Sequence, residues 1–133
     1  MMGLSCSIEI INSFIGIFFA ILFIQSGLDK IFNWKSELAF TKEHFSKTFL
    51  KPLVPLLFFK LTVLELLSGL LSAAGLVALW QHNYTVPLFG DFFCAGTIVC
   101  LFFGQRIAKD YGGAQALVAY FIVSLLGMFS LSY

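Results

Sequence analysis

Charged side chains are scarce in this chain: only 11% of its 133 residues are Asp, Glu, Lys or Arg, while 59% are hydrophobic. The mean hydropathy is +0.94. A soluble domain of this size cannot bury so much apolar surface, so the composition excludes a water-soluble globular protein and indicates an integral membrane protein. With a formal net charge of +1 and no basic run, nothing in the sequence indicates a nucleic-acid partner.

Residues for metal, disulfide and nucleophilic chemistry are also few. The three cysteines form no CxxC pair, and Cys94 and Cys100 lie about 240° apart around one predicted helix, so they cannot bridge each other. His44 and His82 fall in connections on opposite sides of the predicted membrane, where they cannot share a metal or haem. No phosphate-binding loop or nucleophile elbow is present. We therefore expect no metal site and no catalytic activity of the chain on its own.

What the chain does contain is four long, continuously apolar runs. Each is long enough for an α-helix to cross a hydrocarbon core of about 30 Å, which takes about 20 residues, and none shows the short alternating segments of a barrel. The first run follows a start without Lys or Arg, so we interpret it as a retained helix. The sequence predicts a single all-α domain over 1–133, an integral membrane four-helix bundle with spans at 8–32, 53–79, 86–104 and 111–131.

The connection between the first two spans is the only sizeable polar stretch. Its apolar residues Trp34, Leu38, Phe45 and Phe49 recur near helical spacing among lysines, which favours an amphipathic segment lying at the membrane interface. A solvated loop is the alternative.

Basic residues flank the first and third connections only. They are absent from the start of the chain, from the second connection and from the end. The positive-inside rule then predicts that connections one and three are cytoplasmic and that both termini face outward.

Small residues recur at four-residue spacing along the spans, in the sets Gly16 and Ala20, Gly69 and Ala73, and Gly96, Cys100 and Gly104. In a bilayer such faces let helices approach closely. We expect these glycines to be packing positions in the bundle.

Glu65 is the deepest charged residue, about 18 Å into the second span. A charge in hydrocarbon costs at least about 2.5 to 3.5 kcal/mol and needs a partner or water. Lys60 lies about 140° away around the same helix, so a direct pair between the two is not assured. In the leaflet away from connection one, the polar residue that we single out is Asp91. We interpret it as a boundary residue near the start of its helix, stabilised by the helix dipole.

A set of polar residues in or beside the spans falls on the side of connection one, namely Gln25, Ser26, Asp29, Lys30, Lys60, Glu65, Gln105, Arg106 and Asp110. We predict a polar recess open to that side with Glu65 at its floor, and the alternative is a satisfied hydrogen-bond network that locks the bundle. The recess would comprise Gln25, Asp29, Lys30, Lys60, Glu65, Gln105 and Arg106.

Three segments resemble the DoxX-like family of small four-helix bacterial membrane proteins. The first is FIQSGLDKI over 23–31, where Gly27 and Lys30 carry the match, and the second is ELLSG from Glu65, followed by Gly75. The third is RIAKDYGGAQALVAYF over 106–121. Many members have an Arg at the start of span one, where this chain has Glu9, and that departure bears on the orientation. The resemblance implies a bacterial inner-membrane protein with Gly27 and Gly75 as further packing positions.

Some members of that family are subunits of thiosulfate:quinone oxidoreductase, and three hypotheses follow. The first is an accessory subunit of a larger membrane complex, respiratory or quinone-linked, in contact with lipid and with other membrane subunits or further copies. The second is a quinone-linked oxidoreductase subunit in which Glu65 is the candidate catalytic group, handling a proton or a quinone head group. The third is a small four-helix transporter, although the four-helix multidrug exporters place their essential acid in the first helix. The 17 phenylalanines suit lipid tails and the isoprenoid chain of a quinone equally.

Overall fold

The computed structural model describes the backbone of residues 2–131 and the side chains of residues 7–131; residue 1 and residues 132 and 133 of the predicted domain lie outside the described part. It confirms an all-α fold with no strand in that part. Five α-helices follow one another, and a short 3-10 turn at Lys51–Leu53 precedes the third: α1 Met2–Phe32, α2 Trp34–His44, α3 Val54–Trp80, α4 Thr85–Ile107 and α5 Tyr111–Leu131.

Four of these helices are long and apolar enough to cross a membrane. The candidate spans are Ser7–Phe32, Lys51–Trp80, Thr85–Ile107 and Tyr111–Leu131, close to the predicted ones. Their outer faces carry large apolar side chains such as Phe14 and Phe129, exposed by 70% and 63%. An exterior of this kind suits lipid and not water, so the chain is a multi-pass membrane protein.

Two tight connections set the helices antiparallel. His82 and Lys109 take left-handed backbone angles, with φ of 58° and 62°, directly after the ends of α3 and α4. At the first end the next amide, that of Asn83, donates to the carbonyl of Ala78 at 2.8 Å. At the second end the amide of Asp110 donates to the carbonyl of Gln105 at 2.9 Å. This is the Schellman arrangement, here without glycine.

The four long helices pack in a ring. α1 packs mainly on α3, α3 on α4 and α4 on α5, and a smaller contact between α5 and α1 completes the ring. Phe19 and Phe23 of α1 meet Cys94 and Ile98 of α4 in the buried centre. The first and third connections consequently share one end of the bundle, and the second connection lies at the other end with the start of α1.

Close helix contacts depend on glycine at several predicted positions. A Cβ at Gly69 would lie 2.6 Å from Ile24 Cγ1 and 2.9 Å from its backbone nitrogen, and one at Gly75 would lie 3.1 Å from Pro87 Cα. Gly27 faces the side chain of Leu66. α1 and α4 therefore approach the backbone of α3 where it has no side chain.

The small residues predicted to pack along α4, Gly96, Cys100 and Gly104, do not all contact another element. Gly104 faces the ring of Phe45, which belongs to connection one. Gly96 is exposed, and a Cβ there would meet nothing within 4 Å; Cys100 is exposed as well. The packing role predicted for Gly96 is therefore wrong within the described part of the chain, because the face of α4 that carries Gly96 and Cys100 points away from the neighbouring helices.

The amphipathic segment is helical over α2 and continues as turns to Leu50. No residue of α2 is buried, but the indole of Trp34 packs edge-on against the ring of Phe58 on α3, with centroids 4.7 Å apart. The segment therefore lies against the end of the bundle, and Phe40 and Phe49 remain exposed beside it.

Replacing Gly69 by Leu should loosen the bundle, and the same change at Gly96 should not. Forcing a large side chain into a filled contact costs about 1 to 3 kcal/mol, and at Gly69 the obstacle includes the backbone of α1. The free energy of unfolding in mild detergent measures the difference. Equal stability of the two variants would contradict the close α1–α3 contact.

Candidate functional site

An ion pair lies in the interior between α1 and α3. Lys30 Nζ is 2.9 Å from Glu65 Oε2 and 3.2 Å from Oε1, and Ser26 Oγ donates to Oε2 at 3.0 Å. The Glu65 side chain is only 2% exposed, whereas that of Lys30 is 16% exposed. Lys30 also donates to Ser26 Oγ at 3.1 Å. Ser26, Lys30 and Glu65 thus form a triad in which each side chain is hydrogen-bonded to both others.

The helical repeat explains why α1 can supply both partners. Ser26 and Lys30 are four residues apart, so they project from one face of α1, one turn above the other. That face meets α3 at the depth of Glu65. Because a buried charge without a partner is costly, the pair satisfies the requirement that Glu65 imposes on the bundle.

The structure brings only two of the seven predicted recess residues together, namely Lys30 and Glu65. Gln25, Asp29 and Lys60 are exposed on outer helix faces, and Lys60 takes no part in the bonds of Glu65. The geometry of this triad is that of the satisfied network which the sequence left open as the alternative.

The remaining two residues belong to the end of the bundle at connection three. Gln105 Oε1 lies 2.9 Å from His44 Nε2, and the same imidazole nitrogen is 3.8 Å from Asp110 Oδ2. The guanidinium of Arg106 lies over the ring of Tyr111, 4.6 Å from its centroid. These contacts tie the end of α2 to the α4–α5 connection.

A polar seam runs along the α3–α4 interface beyond the ion pair. Ser68 and Thr97 share a hydrogen bond of 2.8 Å between their hydroxyls, and Ser72 Oγ lies 3.4 Å from the thiol of Cys94. All four side chains are buried. The seam uses the inward polar face of α3, which begins at Thr62 and Glu65 and follows helical spacing.

The opposite end of the bundle is held by a second carboxylate. Glu9 Oε1 accepts a hydrogen bond of 2.8 Å from the hydroxyl of Tyr84 and lies 2.7 Å from His82 Nδ1. The hydrogen bond to Glu9 raises the pKa of Tyr84. The start of α1 is thereby attached to connection two.

Asp91 lies inside the bundle and not at its boundary. Its side chain is 5% exposed, six residues into α4 and thus beyond the first turn, within which the helix dipole is felt. With Asn12, which is 3% exposed, it lines a small cavity of about 10 Å³ between α1, α3 and α4. Among the described residues, Asp91 Oδ2 and Asn12 Oδ1 are the two buried side-chain polar atoms without a hydrogen-bond partner.

Asn12 and Thr97 were not assigned a role from the sequence, and Ser26 was predicted only to lie among the polar residues on the side of connection one. Asn12 carried a usable signal, because it is a lone amide inside the apolar run IINSFIGIFF, and polar groups at such a depth face the bundle interior. Ser26 and Thr97 are hydroxyls that can also bond to their own helix backbone, so their type alone identifies no partner.

Comparison with protein-family models, with curated proteins and with solved structures finds no match for this chain. Within the described residues no group of three or more His, Cys, Asp or Glu side chains is placed to hold a metal ion.

Changing Lys30 to Met should destabilise the protein by about 3 to 5 kcal/mol, because it leaves the carboxylate of Glu65 buried without its cation. Adding Glu65→Gln to that variant should recover most of the loss, since the amide is neutral. Lys60→Met is the matched control and should stay within about 0.5 kcal/mol of wild type, as its side chain is exposed. Chemical unfolding in detergent would show whether positions 30 and 60 differ; equal losses would contradict the pairing.

Proposed function

We propose that this chain is a DoxX-like accessory subunit of a larger membrane complex, respiratory or quinone-linked, in the bacterial inner membrane. The observation that carries the proposal is that the carboxylate of Glu65 is already hydrogen-bonded within the bundle. Its two oxygens receive three hydrogen bonds from Ser26 and Lys30. Glu65, the candidate catalytic group, thereby holds α1 against α3.

A quinone head group at Glu65 fits this arrangement poorly. The carbonyl oxygens of a quinone need hydrogen-bond donors, and the donors beside Glu65 are the ammonium of Lys30 and the hydroxyl of Ser26. Both already donate within the triad. The same contacts argue against the second hypothesis, in which Glu65 handles a proton or a quinone head group.

The exterior supports a role in assembly. Large apolar side chains are exposed on the outer faces of all four spans, and apart from α2 the connections between helices are short. The chain therefore presents helix surface that lipid, an isoprenoid chain or a neighbouring membrane helix can cover, and little surface to water.

Purification in mild detergent tests the accessory role. Other membrane subunits should migrate with wild type and equally with Glu65→Gln, because the amide keeps the shape and most of the bonds of Glu65. Mass spectrometry identifies the co-migrating chains, and solvent extraction measures the bound quinone. Lys60→Met is the control for losses of subunits or quinone that occur during purification of any variant.

Two outcomes would overturn the proposal. One is migration of the wild-type chain free of any other subunit. The other is a fall in bound quinone of about tenfold or more, equivalent to about 1.4 kcal/mol, in Glu65→Gln while assembly persists; that result would favour the second hypothesis.

The proposed orientation places connections one and three in the cytoplasm and both termini outside. Seven of the eight Lys and Arg residues lie at or beside those two connections, and Lys60 lies about 9 Å into α3 from the same end. By the positive-inside rule that end should be cytoplasmic.

A cysteine placed at Ser36 or Ser46, both exposed, should react with a membrane-impermeant maleimide only after the cells are opened. A cysteine at Gln81 in connection two, also exposed, should react with intact cells. The parent chain with its native cysteines sets the background. Labelling of position 36 in intact cells would reverse the orientation and leave the four spans intact.

A further inference from the structure

We propose that Asp91 and Asn12 form a proton-binding site, in which a protonated Asp91 and one water molecule join α4 to α1. The site occupies the cavity of about 10 Å³ in the leaflet opposite to Glu65. It does not depend on the accessory role proposed above.

The orientation of the Asn12 amide follows from its contacts. Its Nδ2 donates to the carbonyl of Ile8 and to Ser130 Oγ, both at 2.9 Å. The carbonyl of Ile8 can only accept, so the nitrogen belongs on that side and Oδ1 is left as an acceptor facing away from Ser130. That oxygen is buried and has no donor in the described part of the chain.

Asp91 presents a second acceptor of the same kind. Its Oδ2 is buried without a donor, and Gly127 of α5 closes over the carboxyl group, where a side chain would collide with it. Asp91 and Asn12 line one cavity, and two acceptors cannot satisfy each other. The two acceptors therefore need a hydrogen-bond donor. A protonated Asp91 carboxyl group supplies one.

No cation faces this carboxyl group from the described helices. The cavity walls from α3 are Ser72 and apolar residues or glycine, and the residue of α5 that lies against the carboxyl group is Gly127. The nearest ionisable side chains along the packed helices are Glu9, one turn before Asn12 on α1, and Cys94, one turn after Asp91 on α4. Neither supplies positive charge, so an ionised Asp91 would be a buried and unpaired anion, whereas the neutral acid avoids that cost.

The cavity matches one water molecule in size and chemistry. A volume of about 10 to 15 Å³ is the least that holds a water, and such a water needs two to four polar partners. Asn12, Asp91 and Ser72 line the cavity and supply three polar side chains. These three residues are too few for a cation such as Ca²⁺ or Mg²⁺, which takes at least about six oxygen ligands.

The position indicates from which side the proton enters. Asp91 lies about 9 Å from the start of α4, and Asn12 about 7.5 Å from the start of the first span. Both distances are measured from the end that carries connection two. The ligand is thus a proton exchanged with the aqueous phase on that side, across the surface cluster of Glu9, His82 and Tyr84.

Infrared spectroscopy of the intact protein in lipid nanodiscs tests the site. A carbonyl stretching band of a protonated carboxyl group should be present at neutral pH, should disappear in Asp91→Asn and should persist in Glu65→Gln, the matched change at the paired carboxylate. Asn12→Ala should keep the band and shift its frequency, because the hydrogen bond through the water is lost. Asp91→Asn replaces one polar side chain by another of the same shape, and its folding is checked by circular dichroism.

Several results would overturn the proposal. The first is the absence of the band at neutral pH in wild type, and the second is its survival in Asp91→Asn. A third is an unshifted band in Asn12→Ala, which would separate the two residues. The last is thermal stabilisation of wild type but not of Asp91→Asn by NaCl relative to choline chloride at constant ionic strength, which would identify a monovalent cation as the ligand.

Discussion

A charge in hydrocarbon must find a partner, and that constraint organises this bundle. Glu65 is nearly inaccessible and is met by Lys30 and Ser26 from another helix. Because the ammonium and the hydroxyl both come from the last turns of α1, the pair fixes the rotation of α1 and its height against α3. The close glycine contact at Gly69, one turn beyond Glu65 on α3, depends on the same register. The ion pair and the backbone contact therefore support each other.

The two buried acids of the spans meet this constraint in opposite ways. Glu65 has a cation and a hydroxyl, whereas Asp91 Oδ2 has no partner, lies against Gly127 and shares a small cavity with Asn12. A paired carboxylate is stable as an anion and contributes structure. An unpaired carboxyl group in an apolar interior is stable when it carries a proton. The polar seam of Ser68, Thr97, Ser72 and Cys94 lies between them along α3 and α4.

The ends of the bundle are held by surface clusters of similar design. At one end His44, from α2, reaches Gln105 of α4, and at the other Glu9 of α1 reaches His82 and Tyr84 of connection two. Each cluster joins elements that the short connections do not link directly. The interior is thus left to close packing and to the few polar groups that the spans contain.

The sequence by itself determined the four spans, the short turns and the depth of Glu65, because hydropathy and helix length act along the chain and need no knowledge of neighbours. It also indicated the small-residue face of α3 that carries Gly69, since a helical period fixes which residues share a face. A period does not say which helix that face meets. Only the tertiary structure decided that Glu65 pairs with Lys30, 35 residues away in sequence, and not with Lys60, that Gly96 turns outward, and that Asn12 and Asp91 share a cavity. Those outcomes depend on the rotation of each helix in the ring, which the simultaneous packing of all four spans sets.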